Sequence, residues 1–336
     1  MFILQEKQYS RLNTFDDILR YSHLRKHNYE TYLIEEKIYD CIIIGAGPGG
    51  LQAAIYLCRY NRSVLIIDRT GGRTWHAKHI ENFLTQTVIS GREIIEKGLS
   101  QVMHFGAEYQ KAVVSKVIKN KENLFEVSTK GNHTFFSLFV IVSSGVMDNL
   151  PVIENLHKFF GISFFTCIDC DGFRTTNKKL VIIGNSEKTF RLALAMKQMY
   201  TKDISVILYS SLSLPGYEEE LREENIGLLI GEPLRIIGQE KMEALELKDG
   251  KKVACEVIMS NLGYRLTDEF LSELSLKKDS NGFKYVTGTE YESSLTGLYI
   301  VGPLNTGNDQ VVIAAGEGAI AAIEINKRLL EIHAGD

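Results

Sequence analysis

The sequence predicts an α/β protein in which one nucleotide-binding-type unit is inserted into another. In IYDCIIIGAGPGGLQAAIYLCRY a buried strand, a glycine turn and a helix follow one another, and the strand SVLIID comes next, a pattern typical of a parallel sheet. The same order recurs in weaker form in KKLVIIGNSEKTFRLALAMKQM and ISVILYS. A last strand, GLYIVG, leads into a long helix from about Asp309 to Leu330. We therefore expect two Rossmann-like units of three-layer ββα architecture, the second inserted into the first.

The composition narrows the class of protein. The chain has 336 residues, enough for two domains with buried cores, and is 44% hydrophobic and 24% charged. A net charge of -4 gives no support for binding to nucleic acid or to an acidic membrane. The sequence shows neither an apolar run of membrane-spanning length nor the layout of a signal peptide. We expect a cytoplasmic protein with no nucleic-acid or membrane partner.

Residues 1–37 are expected to form an N-terminal helical extension. Thr14 and Asp17 resemble a capping box that opens a stretch of amphipathic pattern. A surface cover or a dimer arm is the expected role of this extension, rather than a catalytic one.

The first glycine turn carries a dinucleotide-binding pattern. Gly45, Gly47 and Gly50 satisfy G-x-G-x-x-G between a strand and a helix. The first permits the tight turn, the second lets the backbone approach a diphosphate at the helix N-terminus, and the third lets helix and strand pack closely. Asp68 ends the next predicted strand, where an acid accepts hydrogen bonds from an adenosine ribose. An acid at this position favours a ribose with a free 2′-hydroxyl, as in FAD or NAD.

Two cysteines stand close together in CIDCDGF, from Cys167 to Phe173. Five cysteines spread over a long chain argue against a secreted disulfide framework. Structural zinc needs four ligands, and no second Cys/His pair has suitable spacing, so we expect no metal site. Two cysteines at this spacing can close a small ring, and one thiolate can then attack a disulfide. The residues alone leave a redox pair and a reduced structural pair open. Three further cysteines are expected to be small buried apolar residues: Cys41, Cys58 and Cys255.

Several motifs in a fixed order resemble one known family. They are GAGPGG, SSGV (Ser143–Val146), CIDCDGF, NLGYRLTDEF (Asn261–Phe270) and GLYIVGPL with the helix QVVIAAGEGAIAA. From about residue 38 to its end the chain is similar to the low-molecular-weight thioredoxin reductases. The resemblance implies an FAD-binding domain in two segments, 38–150 and 268–336, and an inserted pyridine-nucleotide-like domain, 151–267, that carries the Cys-x-x-Cys. It also implies a homodimer.

The resemblance further implies roles for individual residues. Cys170 would face the flavin, Cys167 would exchange with the substrate disulfide, and Asp171 would be the acid/base that manages the thiol proton. The disulfide would belong to a thioredoxin-like protein or a low-molecular-weight compound. The expected cofactor-binding residues are Gly45, Gly47, Pro48, Gly50, Asp68, Arg69, Gly72, Arg73, Trp75, Asn82, Ser144, Gly145, Gly302, Gln310, Val311 and Val312.

The inserted unit departs from the family at its own nucleotide loop. Its G-x-G-x-x-A positions read Gly184, Ser186 and Thr189, and a serine at the point of close approach would displace a pyrophosphate. The family then places a His-Arg-Arg cluster that grips the 2′-phosphate, and without it this phosphate loses its bidentate partners. The corresponding residues here are Ser210, Ser211 and Leu212. We predict that the enzyme does not use NADPH directly.

Two atypical branches of the superfamily fit this prediction. One accepts electrons from ferredoxin, and the other is diflavin-linked and holds a second FAD. The run Gly71–Phe83 differs from the family pattern and favours the second branch, because Arg73, Trp75, His76 and His79 would lie beside the flavin. Trp75 could stack on a flavin ring or serve as a core or dimer-interface aromatic. A conventional NADPH-dependent thioredoxin reductase with a degenerate site and a flavin-containing redox sensor remain the alternatives.

The last FAD motif also differs. The family has Gly-Asp where this sequence reads Gly302-Pro303, and proline offers no acceptor side chain. We expect Asn305 or Asn308 to take the place of the missing aspartate. Gln310–Val312 should open the final helix, whose free N–H groups would point at the flavin and stabilise charge on it.

Overall fold

The structure is a computed structural model that describes residues 37–209 and 215–334. The expected helices before residue 37, with Thr14 and Asp17, lie outside these residues, as do Ser210, Ser211 and Leu212. The chain divides into two compact units. The first combines the stretch up to Trp75 with Arg92–Val146 and with the stretch from Leu266 onwards, and the second combines His76–Gly91 with Met147–Arg265.

The elements are numbered in chain order. The strands are β1 (Ile38–Ile44), β2 (Val64–Asp68), β3 (Glu108–Lys111), β4 (Val114–Lys119), β5 (Phe125–Thr129), β6 (Thr134–Val142), β7 (Val146–Asp148), β8 (Phe164–Phe165), β9 (Leu180–Gly184), β10 (Ile204–Leu208), β11 (Gly227–Ile230), β12 (Pro233–Gly238), β13 (Met242–Leu247), β14 (Lys252–Ala254), β15 (Val257–Asn261), β16 (Tyr264–Leu266) and β17 (Leu298–Ile300). The α-helices are α1 (Pro48–Arg59), α2 (Gly91–His104), α3 (Leu156–Phe159), α4 (Ile168–Asp171), α5 (Glu187–Met199), α6 (Pro215–Glu223) and α7 (Val311–Ala334).

The first unit is built on one mixed sheet. Its parallel part runs β3-β2-β1-β6-β17, and β5 and β4 extend it as an antiparallel ribbon from the first half of β6. Apolar side chains of β1, β2 and β6 share one core with α1, α2 and α7, as the 3.6-residue period of these helices requires. The predicted α/β class with Rossmann-like units is confirmed. The final helix begins at Val311, two residues later than the sequence indicated.

Strand register brings four chain segments of the first unit together. Ile44 of β1 is opposite both Ile67 and Val142, and Val142 is also opposite Ile300 of β17. Since these strands are parallel, the segments that follow them leave the sheet at the same edge. Ligands of open α/β sheets bind at this carboxyl edge.

The second unit repeats this arrangement. Its parallel sheet has the order β11-β10-β9-β15-β8, beside an antiparallel sheet of β12, β13 and β14. Gly184 at the end of β9 is opposite Leu208 and Asn261, and Phe165 at the end of β8 is opposite Met259. The loop after β9 and the segment after β8 therefore leave this sheet at one edge. Strands β7 and β16, in which the chain leaves and re-enters the first unit, pair with each other.

The stretch 76–91 groups with the second unit, although the sequence-based boundaries placed it in the first. Ile80 and Ile89 close it through a backbone bridge, and the Lys78 side chain lies against Gly161 of the second unit. The sequence carries no signal for such long-range contacts. None of the helices within 37–209 and 215–334 has the length and apolar character needed to cross a bilayer.

Candidate active site

Two glycines of the first turn are required by the chain itself. Gly45 has a φ of +103°, and a Cβ atom there would overlap the backbone oxygen of Ser143. A Cβ atom on Gly50 would overlap the backbone oxygen of Gly45. The Gly50 N–H donates a hydrogen bond to the Ser143 hydroxyl at 2.9 Å. The turn and the close packing expected of these glycines are both present.

Gly47 is different, because nothing among the described residues requires a glycine there. Its φ of -74° and ψ of 175° suit any residue, and a Cβ atom would come no closer than 3.7 Å to the Ser143 oxygen. A Cβ atom would therefore enter space that the chain leaves open at the N-terminus of α1. The first turn of α1, which is fully described, contains no acidic side chain and begins with Pro48. The positive helix terminus thus fits a diphosphate.

Asp68 connects the glycine turn to the loop after β2. Its Oδ1 accepts a hydrogen bond from the Ala46 N–H at 3.0 Å, and its Oδ2 accepts one from the Thr70 N–H at 2.7 Å. The half-buried carboxylate is thus fixed at the carboxyl edge next to the helix terminus. This is the position that suits the ribose of an adenine dinucleotide. Two further predicted residues of this loop are exposed: Arg69 and Gly72.

Ser144 and Gly145, two further predicted cofactor residues, connect the segment after β6 to the segment in which the chain returns to the first unit. The Ser144 hydroxyl donates to the Thr267 carbonyl at 2.6 Å, and the Thr267 N–H donates to the Gly145 carbonyl at 3.0 Å. Gly145 has a φ of +70°, which favours glycine. Both residues follow β6 and therefore lie at the same edge as Gly45.

The segment after β17 is held by a buried acid that sequence analysis missed. The Gly302 N–H donates to the Glu317 carboxylate at 2.5 Å, and Glu317 on α7 is only 3% exposed. Burial raises the pKa of Glu317 above its ordinary value, while the hydrogen bonds from Gly302 and Asn305 oppose this rise. A lone glutamate in the apolar run AAGEGAIAA was the available signal.

The expectation that Asn305 replaces the missing aspartate is wrong. Asn305 is 2% exposed, its Nδ2 donates to Glu317 at 2.8 Å, and its Oδ1 accepts from the Gly307 N–H at 2.6 Å. The amide is therefore used inside the protein. Asn308 is exposed and remains the predicted substitute.

The start of α7 reaches the carboxyl edge as expected. Val311 is its first residue, Gln310 directly precedes it, and both are half-buried, whereas Val312 is exposed. Its first turn, described in full, contains no acidic residue. Asp309, just before the helix, is paired with Lys284 at 2.8 Å.

The predicted residues of the run Gly71–Phe83 are divided between the units. Arg73 and Trp75 belong to the first unit, whereas Asn82 belongs to the second, together with the exposed His76 and His79. Trp75 packs at the margin of the first-unit core, and the Arg92 guanidinium lies 5.2 Å from its ring centroid. These contacts fit the interpretation of Trp75 as a core aromatic.

The cysteine pair lies in the second unit and is oxidised. Cys167 and Cys170 form a disulfide with a Cα–Cα separation of 5.4 Å, which confirms the predicted disulfide pair. The Cys170 N–H donates to the Cys167 sulfur at 3.2 Å, and both residues are half-buried. Cys167 precedes α4, a single turn that also contains Asp171. The other three cysteines are buried, as predicted: Cys41, Cys58 and Cys255.

Asp171 belongs to an ionic network that the sequence did not reveal. The Arg174 Nε lies 3.3 Å from the Asp171 carboxylate, and the Arg174 Nη2 lies 2.8 Å from the Glu81 carboxylate. Burial raises the pKa of Asp171 above its ordinary value. Arg174 and His79 oppose this rise, and Glu81 adds to it. Asp171 is therefore a carboxyl group whose proton affinity depends on identifiable neighbours.

A buried threonine stands at the third motif position of the second nucleotide loop. Thr189 is fully buried, and a Cβ atom on Gly184 would overlap its side chain. The Ser186 N–H donates to the Thr189 hydroxyl at 3.4 Å, as in one half of a capping box. A threonine thus fills the space that a smaller residue leaves free in the dinucleotide pattern.

Glu187, the first residue of α5, brings an exposed carboxylate to the N-terminal turn of this helix. The Glu187 carboxylate accepts hydrogen bonds from the Tyr217 hydroxyl at 2.7 Å and from the Arg191 Nε at 2.8 Å. Both bonds lower the pKa of Glu187, so it is ionised at neutral pH. The Tyr217 ring stacks on Phe190 with 5.8 Å between centroids. The first turn of α5 thus contains a carboxylate, paired with Arg191, whereas the first turn of α1 contains none.

Comparison with known proteins agrees with this geometry. The model of the family described as "Pyridine nucleotide-disulphide oxidoreductase" matches residues 39–318. The thioredoxin reductase of Mycoplasmopsis pulmonis is 28% identical over 309 residues, which cover 88% of this chain and 99% of that protein. The thioredoxin reductase of Treponema pallidum is 28% identical over 299 residues, covering 85% and 96%.

Solved structures show the same fold. The putative thioredoxin reductase TrxB of Bacillus anthracis has a TM-score of 0.80 at 25% identity, covering 87% of this chain and 99% of that one. The structure of HlmI has a TM-score of 0.83 at 24% identity, covering 92% and 96%. Since the family model spans both units and the disulfide, the chain belongs to the pyridine nucleotide-disulphide oxidoreductase family, as a flavin-dependent disulfide oxidoreductase of the thioredoxin reductase type.

Proposed function

We propose that this enzyme passes electrons between FAD and the Cys167–Cys170 disulfide, and from there to a thioredoxin-like protein or a small disulfide, without direct use of NADPH. The observation that carries the proposal is the contrast between two helix termini of the same chain. FAD would be held in the first unit by Gly45, Gly47, Pro48, Gly50 and Asp68. The inserted unit would serve to carry the dithiol.

The N-termini of α1 and α5 each follow a strand of a parallel sheet, but they differ in the space and the charge that their side chains provide. At the start of α1, Gly47 leaves open space, and the first turn brings no negative charge. At the start of α5, Thr189 fills the turn and Glu187 supplies an ionised carboxylate. A pyrophosphate at α5 would have to displace or repel groups that are already paired. This contrast supports FAD at the first edge and argues against NADPH at the second.

The amino-acid sequence supports the same conclusion at a second point. The family holds the 2′-phosphate of NADPH with arginines, and this chain has Ser210 and Ser211 at those positions. A hydroxyl cannot replace the bidentate, charge-assisted pairing of a guanidinium with a phosphate.

Bound FAD supplies or accepts two electrons in this chemistry. Two electrons and two protons convert the Cys167–Cys170 disulfide into two thiols. The Cys167 thiolate then attacks a partner disulfide, forms a mixed disulfide and releases one partner thiol. Cys170 attacks the Cys167 sulfur, which restores the internal disulfide and releases the second partner thiol. Asp171, one residue from Cys170, would hold and return the thiol proton.

The electron donor and the assembly are also part of the proposal. A second FAD or a ferredoxin would supply electrons in place of NADPH, and the enzyme would act as a homodimer. The curated relatives bear the name thioredoxin reductase, which favours a conventional NADPH-dependent enzyme as the second candidate function.

Anaerobic titration of the oxidised holoenzyme separates these candidates. We expect NADPH to leave the flavin absorbance nearly unchanged, while dithionite bleaches it fully. A conventional thioredoxin reductase, titrated in parallel, serves as the positive control. Rapid bleaching by NADPH would overturn the proposal and establish the second candidate function.

A count of flavins per chain after denaturation identifies the donor. Two flavins support the diflavin enzyme, and one flavin with rapid reduction by ferredoxin supports the ferredoxin-dependent enzyme. If no donor supported disulfide reduction and the chain bound a partner in only one redox state, the chain would be a redox sensor and not a reductase.

A further inference from the structure

We propose that Arg174 is a positioning residue of the dithiol site, which fixes the Asp171 carboxyl group beside the cysteine pair, and that Glu81 in turn positions Arg174. This inference rests on the proposed function, because it assigns Asp171 a proton-transfer role. Neither Arg174 nor Glu81 stands out in the sequence, since each depends on contacts that only the fold creates.

The local backbone places Arg174 within reach of Asp171. The helix α4 ends at Asp171, and a 3-10 turn, Gly172–Thr175, follows directly. This turn directs Arg174 back toward the carboxylate, three residues earlier, with 3.3 Å between Nε and Oδ1. The Thr175 hydroxyl donates to the Gly172 carbonyl at 2.8 Å, which fixes the turn itself. The backbone turn therefore places Arg174 where its side chain can pair with Asp171.

Glu81 holds the other side of the same guanidinium. Its carboxylate lies 2.8 Å from Arg174 Nη2, although the two residues are 93 positions apart in the chain. The stretch that carries Glu81 is closed by the bridge between Ile80 and Ile89. Arg174 thus bridges two carboxylates, each from a different part of the second unit.

Partial burial of the three side chains reduces the screening of their ion pairs by water. The side chains of Asp171, Arg174 and Glu81 are 20%, 23% and 28% exposed. Ion pairs at fully exposed positions are screened by water and contribute little. Pairs at this depth are less screened, so a change in one partner alters the proton affinity of another.

Three charged or titratable side chains near Asp171 change the pKa of its carboxyl group. Arg174 and His79 stabilise its ionised form, whereas Glu81 destabilises it. Removing the charge of Arg174 should raise the pKa of Asp171. In Glu81→Gln the amide oxygen can still accept from Arg174 and hold it in place, so loss of the Glu81 charge alone should lower the pKa of Asp171. The two substitutions therefore shift the pH dependence of thiol–disulfide exchange in opposite directions. A purely structural role for Arg174 and Glu81 would not produce this pair of shifts.

The test measures exchange between the reduced holoenzyme and a small aromatic disulfide, 5,5′-dithiobis(2-nitrobenzoate). The enzyme is reduced with dithiothreitol and freed of reductant without air, and the rate constant is followed by stopped flow across the pH range. For Arg174→Gln we expect a rate loss of about tenfold and a shift of the profile to higher pH, smaller than the ~10²–10⁴-fold effect of removing a general acid/base. For Glu81→Gln we expect a shift to lower pH. Arg174→Lys should restore most of the rate.

The matched control is Arg235→Gln. Arg235 also belongs to the second unit and is paired with a carboxylate, Glu246, between β12 and β13. Its removal should leave the exchange rate and the pH profile unchanged. Unshifted profiles in Arg174→Gln and Glu81→Gln, or shifts in the same direction, would overturn the inference. If Arg174→Gln fails to fold, Glu81→Gln and Arg174→Lys still decide it.

A cysteine variant distinguishes this inference from the proposed function. The double substitution Cys167→Ser with Cys170→Ser should abolish exchange. If it does not, the proposed function fails. If exchange is abolished but the Arg174 and Glu81 variants behave as wild type, the inference alone fails.

Discussion

Replacement of Gly47 by alanine should weaken flavin binding and leave the stability of the apoprotein unchanged. A methyl group there would lie 3.7 Å from the Ser143 backbone oxygen and would otherwise project into open space beside the N-terminus of α1. The backbone angles, φ -74° and ψ 175°, are open to alanine. We expect the apoprotein of Gly47→Ala to be as stable as wild type and its affinity for FAD to be lost.

The magnitudes follow from opposing contributions. At an N-cap, alanine is less favourable than glycine by about 0.5–1 kcal/mol. Alanine also restricts the unfolded chain, which contributes about 0.4–1 kcal/mol in the other direction. The net change in the free energy of unfolding is therefore within about 1 kcal/mol. Each hydrogen bond lost between a backbone N–H and a charged phosphate costs about 1.5–3 kcal/mol, which weakens FAD binding about ten- to hundredfold per bond.

Urea unfolding of the apoprotein and fluorescence titration with FAD measure the two effects. Gly50→Ala is the informative contrast, since its Cβ atom would overlap the Gly45 backbone, and overpacking costs about 1–3 kcal/mol of stability. Gly131→Ala, in an exposed hairpin turn with contacts no closer than 3.5 Å, is the neutral control. The reasoning is refuted if Gly47→Ala binds FAD with wild-type affinity, or if its apoprotein loses stability to the same extent as Gly50→Ala.

Two further predictions concern buried titratable groups. Burial raises the pKa of Glu317, so the stability it contributes is present below its unfolded-state pKa and is lost as pH rises through the folded-state pKa. Urea unfolding should therefore show Glu317→Gln becoming more stable relative to wild type from weakly acidic to neutral pH, and the opposite slope would contradict this. Burial also raises the pKa of Cys58 to about 11 and of Cys255 to about 12, and it raises that of Cys41 well above its ordinary value. After reduction, thiol titration of the native protein should detect Cys167 and Cys170 rapidly and the other three cysteines only on unfolding, whereas a third fast thiol would contradict the burial argument.

The parts of the site that were predictable from sequence are those fixed by local chemistry. A turn with φ of +103° needs glycine, and a strand followed by that turn and a helix leaves few other folds open. The turn at Gly45 and the strand that ends at Asp68 could therefore be located from the sequence. The Cys-x-x-Cys spacing likewise limits its own geometry, and the disulfide forms within one turn. The degenerate loop after β9 was visible because Ser186 and Thr189 stand at positions defined by the motif.

The parts that were missed depend on contacts between distant segments. Asn305 looked free to replace an aspartate, but Glu317, twelve residues later, binds its amide in the interior. Arg174 and Glu81 are 93 residues apart, and no periodicity or spacing links them. The stretch 76–91 joined the second unit for the same reason. Local patterns predict what a segment can form, but they do not predict which distant side chain completes it.

The N-termini of α1 and α5 differ in how the chain satisfies their free N–H groups. A helix terminus leaves N–H groups that must be satisfied by side chains, water or a ligand. At α5 the Ser186 N–H donates to the Thr189 hydroxyl, while the Glu187 carboxylate accepts from the side chains of Tyr217 and Arg191. At α1 the Gly50 N–H donates to the Ser143 hydroxyl and Gly47 leaves open space, so under the proposed function a diphosphate bound there would stabilise the first unit by mass action. Under the proposed function, the inserted unit serves to present the disulfide, so the side chains at the start of α5 stabilise the protein and do not hold a phosphate.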